Sequence, residues 1–495
     1  MAKGGRHDEA KLSRDQRQLL GVALVPLFMS LLSVSIVNVV LPSIQWSIGA
    51  SNTGLQWVLT GYTLAFGVLL VPAGRAGDLY GRARLFILGL SLFGLASLVA
   101  GFAPNEWVLN IARVFMGFGS GFLNPQTVGL VQQYFQGEQR GRAFGMFGAM
   151  VGVSVAIGPV LGGVLIAVLG PDWGWRSAFL INVPIAVIAI ITAVIWLPAS
   201  AWHALPEALQ GNPKGKHPDL DPVGIVLLAA ATLAIMLPFL QSGAGSWIWA
   251  LLGLAAILGF LWIRWEGRYK AQGRSPIVDL ALFRTHSFAN GSLLIGLYFT
   301  GMTSVWVVMA LYLQLGQGYS ALEAGLVGLP SAIMSAVAAS IAGRHVVRVG
   351  RAIVLFGISM LLVGLASSGV VLLLHDRLGI SIWWLLASMA FIGFGQGNTV
   401  SPNQTLALRE VPLTYAGSAG GVMQTGQRIG TAVGIALNTA ILFAAEAAFG
   451  WTPAILIAFG SIAILVVLSG VVGIVDLRQE RVQDRRAGTT PAPQA

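Results

Sequence analysis

The sequence predicts an all-α polytopic membrane protein, and three observations carry that prediction. Of 495 residues, 56% are hydrophobic and only 10% are charged, where a soluble domain carries roughly a quarter charged residues. Apolar stretches recur from end to end, each near the length of about 20 residues that a helix needs to cross about 30 Å of hydrocarbon. Between those stretches, Lys and Arg concentrate in every second interval.

Breaking the apolar runs at charged or Pro/Gly clusters gives spans at 18–40, 54–73, 84–103, 107–125, 143–168, 178–197, 222–241, 246–265, 288–313, 323–343, 352–374, 382–403, 416–445 and 453–475. These are fourteen transmembrane helices, and an even number puts both termini on one face. With a cytoplasmic N-terminus, Lys3, Arg6, Lys11, Arg14 and Arg17 face the cytoplasm, as do Arg75, Arg82 and Arg84, and later Arg344, Arg348 and Arg351. Arg176 and Arg377 alone face out, and Arg113 and Arg428 alone fall well inside spans. Hydropathy by itself set the spans, so this agreement with the positive-inside rule is an independent check on them. The expected location is the cytoplasmic membrane of the cell, multi-pass, with lipid as the main solvent.

Composition also excludes classes of function. The net charge of +10 would suit nucleic acid if the basic residues shared a soluble face. They instead follow the membrane topology, so no nucleic-acid partner is expected. Cysteine is absent, which removes disulfides, thiolate metal sites and thiol nucleophiles together; no metal or cofactor is expected. Residues 1–17 are polar and the first apolar run is too long for a signal-peptide core, so the first span is expected to remain as an anchor.

The domain organisation follows from where polar stretches interrupt the spans. A cytoplasmic N-terminus at 1–17 precedes a first six-helix bundle at 18–198. A cytoplasmic loop at 199–221, two inserted helices at 222–265 and a second cytoplasmic loop at 266–287 separate it from a second six-helix bundle at 288–475. The tail at 476–495 is charged, then Thr/Pro/Ala-rich, and is expected to be disordered. The two bundles repeat weakly. Gly74-Arg75-Ala76-Gly77-Asp78-Leu79-Tyr80-Gly81-Arg82 is echoed by Gly343-Arg344-His345-Val346-Val347-Arg348-Val349-Gly350-Arg351, and Gly117-Phe118-Gly119-Ser120-Gly121 by Gly393-Phe394-Gly395-Gln396-Gly397. Two homologous halves are the trace of a transporter whose halves rock about a shared midplane site.

Chemistry concentrates in a few motifs. After span 2, Gly74, Asp78, Gly81, Arg82 and Arg84 put one carboxylate among arginines at helix ends. Such a group makes charge-assisted bonds that form in one conformation and break in another; the plainer reading is a basic loop that sets topology. In span 5, Gly148, Gly152, Gly158-Pro159 and Gly162-Gly163 space small residues around a proline, which lets backbones approach and the helix bend.

The five positions from Gly74 to Arg84 resemble the cytoplasmic signature of the major facilitator superfamily, which makes them a gating loop. Gly158, Pro159, Gly162 and Gly163 resemble the motif of its antiporter branches, which implies export. Trp175 to Pro184, Pro276 to Phe283, and Tyr312-Leu313-Gln314 with Gly318-Tyr319-Ser320 and Gly325 to Pro330 are similar to the fourteen-helix drug:proton antiporter family of multidrug efflux transporters. The resemblance runs from span 1 to span 13. It implies a major facilitator fold of two six-helix bundles with two inserted helices. The activity it implies is secondary-active export of drugs or a natural product by alternating access, with a proton as the coupling partner and a small-molecule substrate.

One departure stands out. Members of that family usually carry an Asp nine residues before the proline that here is Pro42; this chain has Ser33. An intramembrane carboxylate is the natural proton carrier of such a pump, and of the 19 Asp and Glu none falls near the middle of a span, with Glu323, Glu446 and Asp476 at span ends. The resemblance makes Arg113 part of proton transfer with the acid missing at Ser33; otherwise Arg113 is a structural arginine bonding to carbonyls. Two intramembrane cations, Arg113 and Arg428, without a central carboxylate favour neutral or anionic cargo. Candidate cavity polars are Asn38, Asn124, Gln126, Asn398, Asn403, Gln424, Gln427 and Asn438, with Trp57 and Tyr62, each of which has an interhelical hydrogen bond as its plainer role. An uncoupled facilitator, or an exporter coupled through a peripheral acid such as Glu323, is the first rival. A polytopic membrane enzyme is a second, and no enzyme is expected, because the interior supplies no central His, Asp, Glu or Cys to act as base or nucleophile.

Overall fold

The computed structural model describes residues 12–204, 219–241, 243 and 245–486. Among them the chain forms fourteen α-helices: α1 (Arg14–Ile48), α2 (Asn52–Tyr80), α3 (Arg82–Gly101), α4 (Glu106–Tyr134), α5 (Gly137–Leu180), α6 (Asn182–Trp196), α7 (Pro222–Leu240), α8 (Ala250–Ala271), α9 (His286–Leu311), α10 (Ala321–Val349), α11 (Arg351–Leu378), α12 (Leu385–Ala407), α13 (Ala416–Phe449) and α14 (Trp451–Arg486). Residues 1–11, 205–218 and 487–495, where cytoplasmic segments and a disordered tail are expected, lie outside the described residues. The tail expectation is corrected at its start: α14 runs on through Asp476 to Arg486, because Asp476 is held in a buried ion pair with Arg351.

Local signals start and stop these helices. Ser13 opens α1 with a reciprocal capping box, its Oγ accepting from Gln16 N while Gln16 Oε1 accepts from Ser13 N. Ser51, Asn105 and Asp221 cap α2, α4 and α7 by the same logic, the last with Pro222 in the first helical turn. Within α5 the helix breaks at Gly170, whose φ of 76° is a left-handed value that glycine adopts without strain, just before Pro171.

Packing pairs repeat between the two ends of the chain. In the first six helices α1 packs on α5 and α6, α2 on α4, and α3 on α4 and α6; in the last six, α9 packs on α13 and α14, α10 on α12, and α11 on α12 and α14. The halves meet along two seams, α2 with α13 and α5 with α10. The inserted α7 and α8 pack on each other, and α7 lies against α2 and α13, where Met236 contacts Gly67.

Among the described residues, eleven helical stretches are long and apolar enough to cross a membrane, one of them, Gly137–Trp196, running through both α5 and α6. Helices α4 and α12 are not among them. Each carries several buried polar side chains, among them Arg113, Asn124, Gln126 and Gln132 in α4 and Asn398, Asn403 and Gln404 in α12. The C-terminal parts of these two helices are enclosed by neighbouring helices, whereas Trp107, Ile111 and Phe115 of α4 and Phe391 of α12 are exposed.

Candidate functional site

The closest approach between the halves lies where α2 ends and α3 begins. A Cβ added to Gly74 would stand 2.2 Å from the carbonyl oxygen of Gly417, and one added to Gly417 would stand 2.4 Å from that of Gly74. Nothing larger than glycine fits while the helices are this close. The other seam has the same construction: a Cβ on Gly141 or on Gly343 would stand 2.4 Å from the other's carbonyl oxygen.

Around the first glycine pair the expected gating loop is assembled. Asp78 and Arg82 are buried and ion-paired at 2.8 Å. Asp78 also accepts the amide N–H of Gly417, at 3.1 Å, and of Ser418, at 3.4 Å, both in α13. Arg82 donates to the carbonyls of Gly129 and Leu413 and to Gln133. Arg75 donates to Thr414 O and lies over the Tyr415 ring. Gly81, with φ of 98°, makes the turn. Arg84 differs from expectation: it is exposed and makes no contact with the carboxylate, because one helical residue beyond Ala83 points it away from the seam. Seam contacts extend from here to Thr425, which donates to Gly67 O, and along α5 to Gly152 beside Ala332 O. Farther along the same helices, Trp57 is 39% exposed.

Deeper in, the intramembrane arginines share one aromatic pair. Tyr62 and Phe66 lie one turn apart on α2, ring centroids 5.9 Å apart. Arg113 of α4 stacks 4.2 Å from the Tyr62 centroid and Arg428 of α13 stacks 4.4 Å from that of Phe66, contacts that stabilise a guanidinium by about 0.5–2 kcal/mol. Arg113 is fully buried and satisfied: its Nε donates to Val58 O at 2.8 Å and its Nη1 to Ser33 Oγ at 3.0 Å. Position 33 and Arg113 are thus in direct contact. Arg428 is partly exposed and forms no hydrogen bond or ion pair with the described residues, which leaves its N–H donors free for water or a ligand.

The remaining expected residues divide. Tyr62 donates to Ser30 O and bonds Ser120, and Asn124 donates to Ser30 Oγ, so both belong to a buried network joining α1, α2 and α4. Gln126 is no cavity residue: it is fully buried and donates to Ala73 O, tying α4 to α2. Asn398 donates one turn back to Phe394 O, Asn38 is exposed and donates to Val34 O, and Asn438 bonds Ser304. Asn403 donates to Gly291 O and accepts from Arg351. Gln424 is buried with its Nε2 unpartnered, and Gln427 is partly exposed one residue before Arg428. Gly158 and Gly162 seat α5 on Ser35 and Ile36 of α1, whereas Gly163 faces open space and Pro159 is exposed. Glu323 takes part in the cap of α10, its Oε2 accepting from both Ser320 N and Ser320 Oγ at 2.8 Å.

The family model of the Major Facilitator Superfamily matches residues 24–435 and, again, 291–492. The chain belongs to the major facilitator superfamily. Among similar proteins, the probable actinorhodin transporter of Streptomyces coelicolor is 33% identical over 434 residues, covering 86% of this chain and 72% of that one. The puromycin resistance protein pur8 of Streptomyces alboniger is 31% identical over 497 residues, covering 96% of this chain and 94% of that one. In fold, the chain is similar to the human organic anion transporter MFSD10 (TETRAN), with a TM-score of 0.65, 14% identity and coverage of 93% and 100% of the two chains. The all-helical major facilitator fold is therefore shown, in a membrane transporter whose relatives include antibiotic export and resistance proteins.

Some functional-looking residues of this superfamily member escape sequence reading. The echo of the gating loop has Val347 where Asp78 stands in the first copy, yet Arg351 is still paired: Asp476 of α14 and Asn403 of α12 take the guanidinium at 2.5 Å each. The missing acid in the echo was the available signal that a partner must come from elsewhere. Phe66 beneath Arg428 and the Tyr415 ring beneath Arg75 carried no such signal.

Proposed function

We propose that this chain is a secondary-active exporter of a drug or natural product, the kind of cargo named in its relatives, working by alternating access. In this reading it crosses the cytoplasmic membrane fourteen times with both termini inside. One observation carries it: the Asp78 carboxylate of the first half accepts backbone N–H groups of Gly417 and Ser418 in the second half. That bond exists only while the two halves are closed at the gating-loop end, and the positive-inside rule places that end in the cytoplasm. The conformation described is therefore closed at the cytoplasmic end, and Trp57 and Asn38, away from that end, are exposed.

Cargo enters between the halves and meets Arg428, which is partly exposed and backed by the buried Phe66 ring. A free guanidinium in a low-dielectric pocket attracts anions and tolerates neutral polar molecules, and it repels cations. We read the cargo as neutral or anionic for that reason. Proton coupling is the remaining element. Ser33 supplies no titratable group to Arg113, so the proton, if the exporter takes one, is carried elsewhere. Efflux from proteoliposomes with and without an imposed pH gradient tests the reading: acceleration by the gradient supports coupled export, transport indifferent to it leaves a facilitator, and no transport of any tested compound refutes the proposal.

A further inference from the structure

At the root of the inserted hairpin two carboxylates are buried together. Asp221 caps α7 and is 0% exposed; Glu266, in the last turns of α8, is 1% exposed. They converge on Gly224: a Cβ there would stand 2.2 Å from Asp221 Oδ2 and 2.9 Å from Glu266 Oε1. Asp221 Oδ1 is used, accepting from Gly224 N at 3.0 Å and from the Trp265 indole at 2.7 Å. Asp221 Oδ2 and both oxygens of Glu266 have no hydrogen-bond partner, and neither has the neighbouring Trp262 indole N–H. The backbone N–H groups of Ile277 and Val278 also face Glu266 without completing a bond.

The charged groups around the pair are committed elsewhere. On α8, Lys270 is paired with Asp279 at 2.7 Å, and Tyr269 donates to Asp219 at 2.5 Å. In the following segment Arg274 lies over Tyr269. From α2, Arg75 reaches Thr414 and the Tyr415 ring. Among the described residues no cation is ion-paired with either Asp221 or Glu266. Two buried carboxylates that share a site without a cation cannot both stay ionised; one proton between them removes both the repulsion and the cost of an unpaired buried charge.

We propose that Asp221 and Glu266 form a proton-binding site, the proton residing on Glu266 and facing the free oxygen of Asp221. The site adjoins the moving seam. Ile277 and Val278, which face Glu266, pack with Val71 of α2 and Val422 of α13. Loss of the proton puts two negative charges into this dry corner, and the hairpin root relieves them by withdrawing from the seam. Protonation therefore favours the inward-closed conformation, and deprotonation loosens it. This link to gating rests on the seam being the moving part, as the exporter reading has it; the proton site itself does not.

Two measurements separate these. In the purified full-length chain in lipid nanodiscs, infrared difference spectra between acid and alkaline pH should show a protonated carboxyl band at a pH where exposed carboxylates are ionised. Glu266→Gln should abolish it, Asp279→Asn should leave it, and in the unsubstituted chain carbon-13 glutamate should shift it, so that the assignment survives even if the variant fails to fold. A missing band, a band that persists in Glu266→Gln, or a band lost on adding sodium or potassium at fixed pH overturns the proposal, the last because the pair then takes a metal cation. The chain has no cysteine, so spin labels at Arg84→Cys and Arg344→Cys, both exposed, report the separation of the halves. A distance that changes with pH, and stops changing in Glu266→Gln, is the expected result; a fixed distance while the band titrates overturns the link to the seam.

Discussion

Asp78→Asn removes one charge from the centre of the seam while keeping the side chain's shape. The Arg82–Asp78 pair lies within the first half, so it persists whether the seam is open or closed and does not weigh on the balance between them. The bonds that do weigh are those from Gly417 N and Ser418 N to the carboxylate, at 3.1 and 3.4 Å. A hydrogen bond to a charged group contributes about 1.5–3 kcal/mol where a neutral one contributes about 0.5–1.5. Asparagine keeps one acceptor, so the loss is about 1–2 kcal/mol, which moves the closed-to-open ratio by roughly 5- to 30-fold. Ser418 is fully buried in the closed seam; a Ser418→Cys label site in the cysteine-free chain reacts with a hydrophilic thiol reagent only when the seam opens. The reaction should therefore be roughly 5- to 30-fold faster in Asp78→Asn, at matched circular dichroism and elution volume. A rate within about twofold of the parent, in a folded protein, would show that the carboxylate does not latch the halves.

Three further outcomes follow from the same geometry. Ser33→Asp places a carboxylate within reach of Arg113 Nη1, now 3.0 Å from Ser33 Oγ, and should raise the dependence of efflux on an imposed pH gradient; unchanged dependence in proteoliposomes would separate position 33 from coupling. Arg428→Ala should weaken transport of anionic compounds by about tenfold, the size of a 1–2 kcal/mol contact, and spare neutral ones, as read by Km in vesicle uptake. Arg351→Gln and Asp476→Asn should each lower unfolding stability by about 3–5 kcal/mol, since each strands a buried charge; the double variant should cost clearly less than both together, which thermal unfolding in detergent measures.

Much of this was legible because the membrane imposes one rule on the backbone and one on charge. The expected spans follow the order of the helices, span 178–197 touching both α5 and α6, and among the described residues eleven helical stretches are long and apolar enough to cross a membrane, since a chain in lipid must satisfy its own backbone hydrogen bonds. Asp78 and Arg82 were legible because an acid and an arginine flank one glycine turn at Gly81, close enough in sequence to pair across it. What sequence does not carry is the direction a side chain faces, since lipid and bundle interior are both apolar. Gln126 therefore looked like a cavity group and proves to be a tie between α2 and α4. The partner of Arg351 is 125 residues away on α14, inside a stretch that composition marks as a charged tail. Asp221 and Glu266 sit at the edges of their spans, where carboxylates are ordinary, and only the closure of α7 on α8 buries them.

The pseudo-equivalent parts of the two halves are built alike and loaded differently, and under the alternating-access proposal that difference says where gating energy resides. Both seams end in a glycine pair at backbone contact. At the α2–α13 seam the buried carboxylate and both arginines around it bond across to Gly417, Ser418, Leu413 and Thr414. At the α5–α10 seam the buried arginine, Arg351, is bound within its own half by Asp476 and Asn403, and the ion pair that does cross, Arg348 with Glu138, is exposed at 65% on the arginine side, where such pairs contribute about 0–1 kcal/mol. Under that proposal, opening the molecule at this end breaks buried charge-assisted bonds along the first seam and an exposed ion pair along the second. The inserted α7 lies on the strong seam, against α2 and α13. A hairpin placed there is in position to act on the buried bonds that the proposal assigns to the closed state.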